Sequence, residues 1–384
     1  MELNVSWVTN HPAPYRLPVW ESLGRIVDLE VLLLTSRHQY ASAPGNRGRE
    51  WADLTPAGYT MREVPTWRAS RGEASYYATK PFALRLRQGT SAVVLGGWES
   101  PSYLQVLLAA KRRGVPTVGF YESTLFTQSR PTGPLAALRR RFFRSLDAVV
   151  VPGRAAEDAI RAMKLPALPI FRGFNAVDVD GIQAAASAAR RRASEANGRS
   201  DRAAGHRYLY VGQLIARKNV EAAMHAFAAA ARPQDSFTVT GVGDLQDELR
   251  ALNIPGVSFT GPVAYASLPE LLARHDTLVL PSTVEVWGLV VNEALAAGLH
   301  VVVSAQCGVA LSVQSMAGVT VVAPTIEGIR DGLVESRARW NGHITAPEIL
   351  AHGPAEFADT FLDAIEYVVS ARLARSAQAR GAQR

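Results

Sequence analysis

Two glutamates, Glu285 and Glu293, bracket the segment of this chain richest in residues that could do chemistry. An apolar run, Thr277–Leu280, ends at Pro281, which cannot continue a central strand. A loop then leads to a helix expected to begin near Gly288. Its first turn, Gly288, Leu289 and Val290, would offer unpaired N–H groups and a positive dipole end, a seat for a phosphate. Gly288 would let phosphate oxygens approach the backbone closely. On one continuous helix the two glutamates would point about 80° apart. With Glu285 in the loop and Glu293 on the second helical turn, both could reach one ligand. Carboxylates accept hydrogen bonds from sugar hydroxyls, so one on a ribose and one on a hexose would suit a nucleotide-sugar. The plainer alternative is a pair of solvated helix glutamates.

A second segment runs from Tyr210 through Gly212 and Gln213 to Arg217, Lys218 and Asn219. It reads as a strand, a glycine turn and two cations ahead of a helix. Lys as a point charge and Arg as a bidentate fork could neutralise a departing diphosphate. The alternative is an exposed basic turn with Asn219 capping the helix. Cys307, in a strand-to-helix loop, either lines the same pocket or is a small buried thiol.

These residues need elements to hold them. Short apolar runs alternate with helical stretches. The expected strands are Val5–Thr9, Leu29–Thr35, Ala92–Leu95, Pro116–Phe120 and Ala148–Val151, with helices Arg16–Leu23, Pro101–Arg113, Pro134–Ser145 and Arg154–Met163 between them. A second set has strands at Tyr208–Val211, Phe237–Thr240, Val257–Thr260, Thr277–Leu280, Leu299–Ser304 and Val319–Val322. That rhythm implies βαβ units and parallel sheets covered on both faces. The class is α/β, with two doubly wound Rossmann-like domains whose strand ends face a shared cleft. The stretch Gln183–His206 lacks a strand; its first half reads as helix and its second as exposed linker. Pro354–Arg372 carries Phe357, Phe361, Ile365 and Val369 in steps of four, a helix with one packed face. Ser376–Arg384 reads as a frayed basic tail.

Composition sets the bounds. At 384 residues, 48% apolar and 20% charged, the chain is an ordinary globular protein of about two domains. One cysteine excludes a disulfide framework, and the 8 histidines show no metal-binding spacing, so no metal is expected. No leader or membrane-spanning run is visible, which makes the cytoplasm the default setting. Lys plus Arg exceed Asp plus Glu, 41 to 34, for a net charge of +7, which suits an anionic partner or simply solubility. Nucleic acid is disfavoured, because no stacking motif or concentrated basic face accompanies the charge.

The segments around Gly212–Lys218 and Glu285–Gly298 together resemble the donor half of retaining glycosyltransferases of the GT-B fold, family 4 type. Val257–Pro262, Leu268–Leu271 with His275-Asp276, and Asn175–Asp178 resemble further parts of that family. The resemblance implies an N-terminal acceptor domain over 1–172, an interdomain segment over 173–206, a donor domain over 207–352, and a C-terminal helix over 353–384 returning to the first domain. It implies Glu285 on the donor hexose, Glu293 on the ribose and Lys218 on the diphosphate, with Arg217 in support. Gly212, Gln213, Pro262, Val263, Trp287, Gly288, Leu289 and Val290 would line the donor. The family often has Arg after the turn glycine; here Gln213 stands there, and Trp287 replaces a usual Phe. The glycine-rich turn is reduced to Thr240-Gly241-Val242-Gly243.

The acceptor side would be carried by His11, Pro14, Tyr15 and Arg16, in a loop resembling the Pro-Tyr-Arg loop of bacterial members that act on glycans and glycolipids. Trp98, Glu99 and Glu122 sit in two further loops. Arg139–Arg144 with Phe142 and Phe143 could graze an anionic membrane, but burial of both rings against the sheet is favoured. The expected activity is metal-independent, cofactor-free hexosyl transfer with retention, from a nucleotide-diphosphate sugar (UDP by default). The acceptor would be a glycan, glycolipid or small molecule. A sugar-nucleotide epimerase and a non-catalytic nucleotide-sugar binder are the alternatives.

Overall fold

The computed structural model describes residues 3–35, 56–71, 74–128, 130–165, 167–197 and 205–381. The chain divides into two compact units. One comprises residues 1–122, 128–174 and 354–384; the other comprises 123–127 and 175–353.

In the first unit the strands are β1 (Asn4–Thr9), β2 (Asp28–Leu33), β3 (Thr60–Glu63), a hairpin of β4 (Thr66–Arg71) and β5 (Ala74–Thr79), then β6 (Ala92–Leu95), β7 (Thr117–Phe120), β8 (Ala148–Val151) and β9 (Ile170–Arg172). All but the hairpin form a parallel sheet in the order β3-β2-β1-β6-β7-β8-β9. β6 and β8, Ala-Val-Val-Leu and Ala-Val-Val-Val, are buried at every position. Such unbroken apolar, Val-rich runs suit a sheet with both faces covered. The covering helices are α1 (Leu17–Gly24), α2 (Pro101–Arg112), α3 (Pro134–Arg144) and α4 (Arg154–Ala162). α2 and α3 each begin on Pro, whose missing N–H costs nothing in a first turn.

The second unit holds α5 (Val179–Asn197), then β10 (Arg207–Val211), α6 (Val220–Ala230), β11 (Ser236–Thr240), α7 (Gln246–Ala251), β12 (Val257–Gly261), α8 (Leu268–Ala273), β13 (Thr277–Leu280), α9 (Leu289–Ala296), β14 (His300–Ser304), α10 (Ala310–Val313), β15 (Val319–Val322) and α11 (Ile326–Arg339). Its sheet is parallel, in the order β12-β11-β10-β13-β14-β15. In its core Tyr208 meets Phe227 edge to face and Phe227 meets Phe237 at a tilt, with ring centroids 5.9 and 5.6 Å apart. Thr325 caps α11 by accepting from the Gly328 N–H.

The last helix, α12 (Pro354–Gly381), belongs to the first unit. Phe361 lies 4.4 Å from Trp7 and 5.4 Å from Phe120, centroid to centroid. The buried stripe is Phe357, Phe361, Ile365 and Val368, with Val369 turned partly outward. A strict step of four drifts off a face that repeats every 3.6 residues. No helix among the described residues is long and apolar enough to cross a membrane.

The structure departs from the sequence reading in five places. β3 is a polar edge strand, Thr-Met-Arg-Glu, with no alternation to betray it. The β4–β5 hairpin is held by contacts from α2, where Ser100 Oγ accepts from the Tyr77 N–H and Ser102 pairs with Thr79. β9 has only 3 residues. Helix α5 runs on to Asn197, and α12 continues to Gly381 through part of the expected tail, as its Ala- and Arg-rich composition favours. The rest of the expected linker, 198–204, and of the tail, 382–384, lies outside the described residues.

Five histidines are held below their ordinary pKa by burial. His11 and His206 are each lowered to about 4, with Arg16 adding to the effect on His11. His275, His300 and His343 shift the same way. An unfolded chain binds more protons than the folded one between about pH 4 and 6.5, so this stability is complete above pH 6.5 and drains away below it. Denaturant titrations should show the unfolding free energy falling by about 1.4 kcal/mol per pH unit for each of His11 and His206 in that window, with the other three adding to the fall. A flat profile from pH 6.5 to 4.5 would contradict the assignment.

Candidate active site

In the second sheet the chain steps outward from β10 through β11 to β12, then restarts at β13 and steps the other way. The order reverses between β10 and β13, where adjacent loops must part and leave a crevice at the carboxyl ends. The loop after β10 carries Gly212 to Asn219; the loop after β13 carries Pro281 to Gly288. Lys218 Nζ and the Glu285 carboxylate form an ion pair across this point, each side chain 13% exposed. The two loops are also stitched by backbone: Arg217 C=O accepts from the Thr283 N–H at 2.9 Å and its hydroxyl at 3.2 Å.

Asn219 stands at the N-cap position of α6, as expected, but its side chain makes no capping bond. Its φ is 56°, in the left-handed region that Asn tolerates, and its side-chain amide donates to Pro281 C=O and Pro324 C=O at 3.1 and 2.9 Å. Gln213 is exposed, and its Oε1 accepts from Arg217 Nη2 at 3.3 Å. The residue that removes a charge from the turn thus contacts a neighbouring guanidinium. Tyr210 donates its hydroxyl to Gln213 C=O at 2.7 Å.

The shortened glycine turn is tightly used. Gly241 has φ +139°, and a Cβ there would stand 1.8 Å from Gly212 C=O; one on Gly243 would stand 2.3 Å from Leu214 C=O. Both close approaches pack the turn after β11 onto the turn after β10. The Gly241 N–H in turn donates to Gly261 C=O, joining the loop that holds exposed Pro262 and part-buried Val263.

On the other side, Gly288 sits at φ +100° ahead of α9, whose first turn holds Leu289 and Val290. Trp287 is buried, and its Nε1–H donates to Asn292 Oδ1 at 3.0 Å; Asn292 Nδ2 then donates to Asn175 C=O at 2.6 Å. Glu293 follows at 3% exposure, well inside the helix's packed face, a deeper position than its spacing indicated. Cys307 is a buried thiol, bridged to Glu285 through the backbone; burial and then Glu285 push its pKa far up, leaving it inert.

In the first unit the reversal falls between β1 and β6. Arg16, the last residue of a tight Pro14–Arg16 turn, pairs with Glu122 at 3.1 Å and lies over the rings of Phe120 and Tyr15, at 4.5 and 5.4 Å. Burial opposes the Arg16 charge, but Glu122 and Tyr15 outweigh it and raise the pKa. The cation beside it helps keep His11 neutral. Glu99 is a hub of the second loop: Oε1 accepts from Asn10 Nδ2 at 3.3 Å and Oε2 from the Trp98 N–H at 3.0 Å.

Sequence reasoning passed over several residues. Tyr103, fully buried, donates to Asn10 Oδ1 at 2.9 Å; burial and then Glu99 hold its phenol protonated. Arg139, from the basic run on α3, is buried over Trp98 at 5.6 Å and donates to Gln128. Phe142 and Phe143 are core residues, so of the two readings of this helix the buried one holds and neither ring is offered to a membrane. The signals missed were single polar residues inside apolar periods, which spacing alone treats as noise. Trp287 and Asn292 should be energetically coupled. Trp287→Phe and Asn292→Leu each strand a buried polar atom, and the double variant should cost about 1 kcal/mol less than their sum in denaturant unfolding. Strict additivity would show the bond to be idle.

Residues 205–335 match the family model for glycosyl transferases group 1, and residues 20–172 match that for a glycosyl transferase 4-like domain. The chain is 38% identical over 103 residues to the glycogen synthase of Mycobacterium tuberculosis (strain H37Rv), a stretch covering 25% of each chain. It is 28% identical over 204 residues to a GDP-mannose-dependent alpha-mannosyltransferase of Mycolicibacterium smegmatis, covering 51% of each. It thus spans about a quarter and about half of the length of these curated relatives. In fold it is similar to HepE of Anabaena, solved with UDP and glucose, with a TM-score of 0.61 at 14% identity over 99% of this chain and 100% of that one. With both halves matched and the two parallel sheets in place, the chain belongs to the group 1 glycosyltransferases of the GT-B fold.

Proposed function

We propose that this glycosyltransferase moves a hexose, or a hexose derivative, from a nucleotide-diphosphate sugar to a hydroxyl acceptor, with retention and without a metal. The observation that carries this reading is the Lys218–Glu285 pair at the strand-order reversal, beside the first turn of α9. A diphosphate seated on the N–H groups of Gly288, Leu289 and Val290 meets the dipole of that helix. Lys218 exchanges its carboxylate partner for the diphosphate, and the freed Glu285 accepts from the hexose hydroxyls. Arg217 adds the charge that Gln213 lacks, and Glu293 is assigned the ribose.

As the bond from the anomeric carbon to the phosphate oxygen breaks, negative charge grows on the diphosphate. Fixed cations and peptide dipoles stabilise that charge more in the transition state than in the ground state. The acceptor oxygen forms the new bond, and its proton passes to the released phosphate, so no protein base is assigned. His11, Arg16, Trp98, Glu99 and Glu122, with Pro14 and Tyr15, are assigned to a glycan, glycolipid or small-molecule acceptor. The same reading sets the reaction in the cytoplasm. UDP-sugars are the default donors, supported by the UDP bound to HepE; the mannosyltransferase's name argues for including GDP-mannose.

Lys218→Ala and Glu285→Ala should each lower kcat by about 100-fold or more while circular dichroism shows an intact fold. Near-normal turnover in either would remove that residue from the mechanism. EDTA should leave the rate unchanged, and its abolition of activity would overturn the metal-free reading. Turnover of donor without any acceptor, giving an isomeric nucleotide-sugar, would replace transfer with epimerisation.

A further inference from the structure

The second unit has a cavity of about 430 Å3 between α5 and the segment His343–Thr345, a volume in the range of small-molecule sites. It lies at the opposite end of the sheet from Lys218 and Glu285. Arg190 Nη1 donates to Ala297 C=O at 2.9 Å, and the Ile344 N–H donates to Gly298 C=O at 2.9 Å. Ala297 and Gly298 lead into the amino end of β14, whereas the Pro281–Gly288 loop leaves the carboxyl end of β13. In a parallel sheet these ends are about 15 Å apart.

The lining is polar and cationic, and Gln183 Nε2 donates across it to Thr345 C=O at 3.0 Å. Gln183, Ser187, Arg190, Arg191 and Ser194 recur at helical spacing along one side of α5. The half-buried guanidinium of Arg190 contacts Ala297 C=O and, at 3.4 Å, Ser187 Oγ; no carboxylate pairs with it among the described residues. The carbonyl contact is explained by the negative end of α9. It occupies one N–H of five and leaves the charge without a counter-ion. Arg191 adds a second guanidinium, against which Glu195 brings one carboxylate. Burial works against the Arg190 charge, which an anion would relieve. His343 is kept neutral by burial and then by Arg190; its Nε2 must donate to His275 C=O at 2.9 Å, leaving Nδ1 as an acceptor.

From this juxtaposition we propose that the cavity binds a sugar phosphate monoester, separate from the donor. Arg190 and Arg191 fork the phosphate, a geometry guanidinium suits and ammonium does not. Gln183 Oε1 and the hydroxyls of Ser194 and Thr345 take the sugar hydroxyls, the Gln183 amide N–H remaining on Thr345 C=O. The site stands independently of the transfer reaction, and the test keeps the two apart.

Isothermal titration of the full chain with glucose 6-phosphate, glucose 1-phosphate, inorganic phosphate and glucose, each with and without saturating UDP, decides the matter. At least one hexose phosphate should bind about tenfold or more tightly than inorganic phosphate, with glucose silent and UDP without effect on the Kd. Arg190→Gln should abolish the binding and Arg191→Gln should weaken it at least about fivefold. Arg191 is exposed and makes no hydrogen bond or ion pair among the described residues, so that variant reports even if Arg190→Gln does not fold. Absence of heat with both hexose phosphates at millimolar concentration would overturn the proposal. So would affinity unchanged in Arg191→Gln, or displacement by UDP. Equal affinity for inorganic phosphate would overturn the sugar half of it.

Discussion

Opposite charges on Lys218 and Glu285 meet where the second sheet reverses its strand order, and the surrounding loops are shaped around that meeting. Each side chain is largely withdrawn from water, so either charge alone would carry a heavy desolvation cost. The pair is therefore stable only as a pair, or when a ligand supplies a replacement for each partner. In the proposed function a nucleotide-diphosphate sugar would bring both replacements, phosphate anion for the lysine and hydroxyl donors for the glutamate. Binding and the poise of the site would then be one physical event rather than two.

The pair is held by hydrogen bonds between its loops, most of them to backbone carbonyls. Arg217 C=O, the Asn219 amide and the Glu285–Cys307 bridge tie three loops into one layer above the sheet. Glycines at 241, 243 and 308 allow that layer to close, since a Cβ at any of them would fall within 2.3 Å of a carbonyl oxygen. Such packing leaves little freedom for the amide dipoles to reorient, which is the condition for electrostatic stabilisation without reorganisation. The first unit repeats the scheme with different chemistry. At its own reversal, Asn10, Glu99 and Tyr103 form a hydrogen-bonded chain, and Arg16 with Glu122 forms the ion pair.

The net charge of +7 has a divided use. Arg16 and Arg139 are buried under aromatic rings, where guanidinium stacks more readily than ammonium. Arg190 closes the end of a helix and faces a cavity. Lys218 is paired in the site. The surplus is thus spread over several distinct tasks, and composition could register only its sum.

From residues alone, the period of the chain determined the fold class. Ala-Val-Val-Val at β8 and Thr-Leu-Val-Leu at β13 admit little but buried parallel strands, and Pro101, Pro134 and Gly288 mark where helices start. Those signals are local and steric, so they survive in one dimension. What the tertiary structure decided was partnership. Strand order placed residues 218 and 285 in contact across 67 positions of sequence. It sank Glu293 into a packed face, gave the Trp287 N–H to Asn292, and turned the side chain of the N-cap residue Asn219 to Pro281 C=O. The weak strands β3 and β9 and the hairpin owe their form to neighbours rather than to their own composition. Spacing constrains the direction of a side chain, but only the approach of distant segments fixes what stands in that direction.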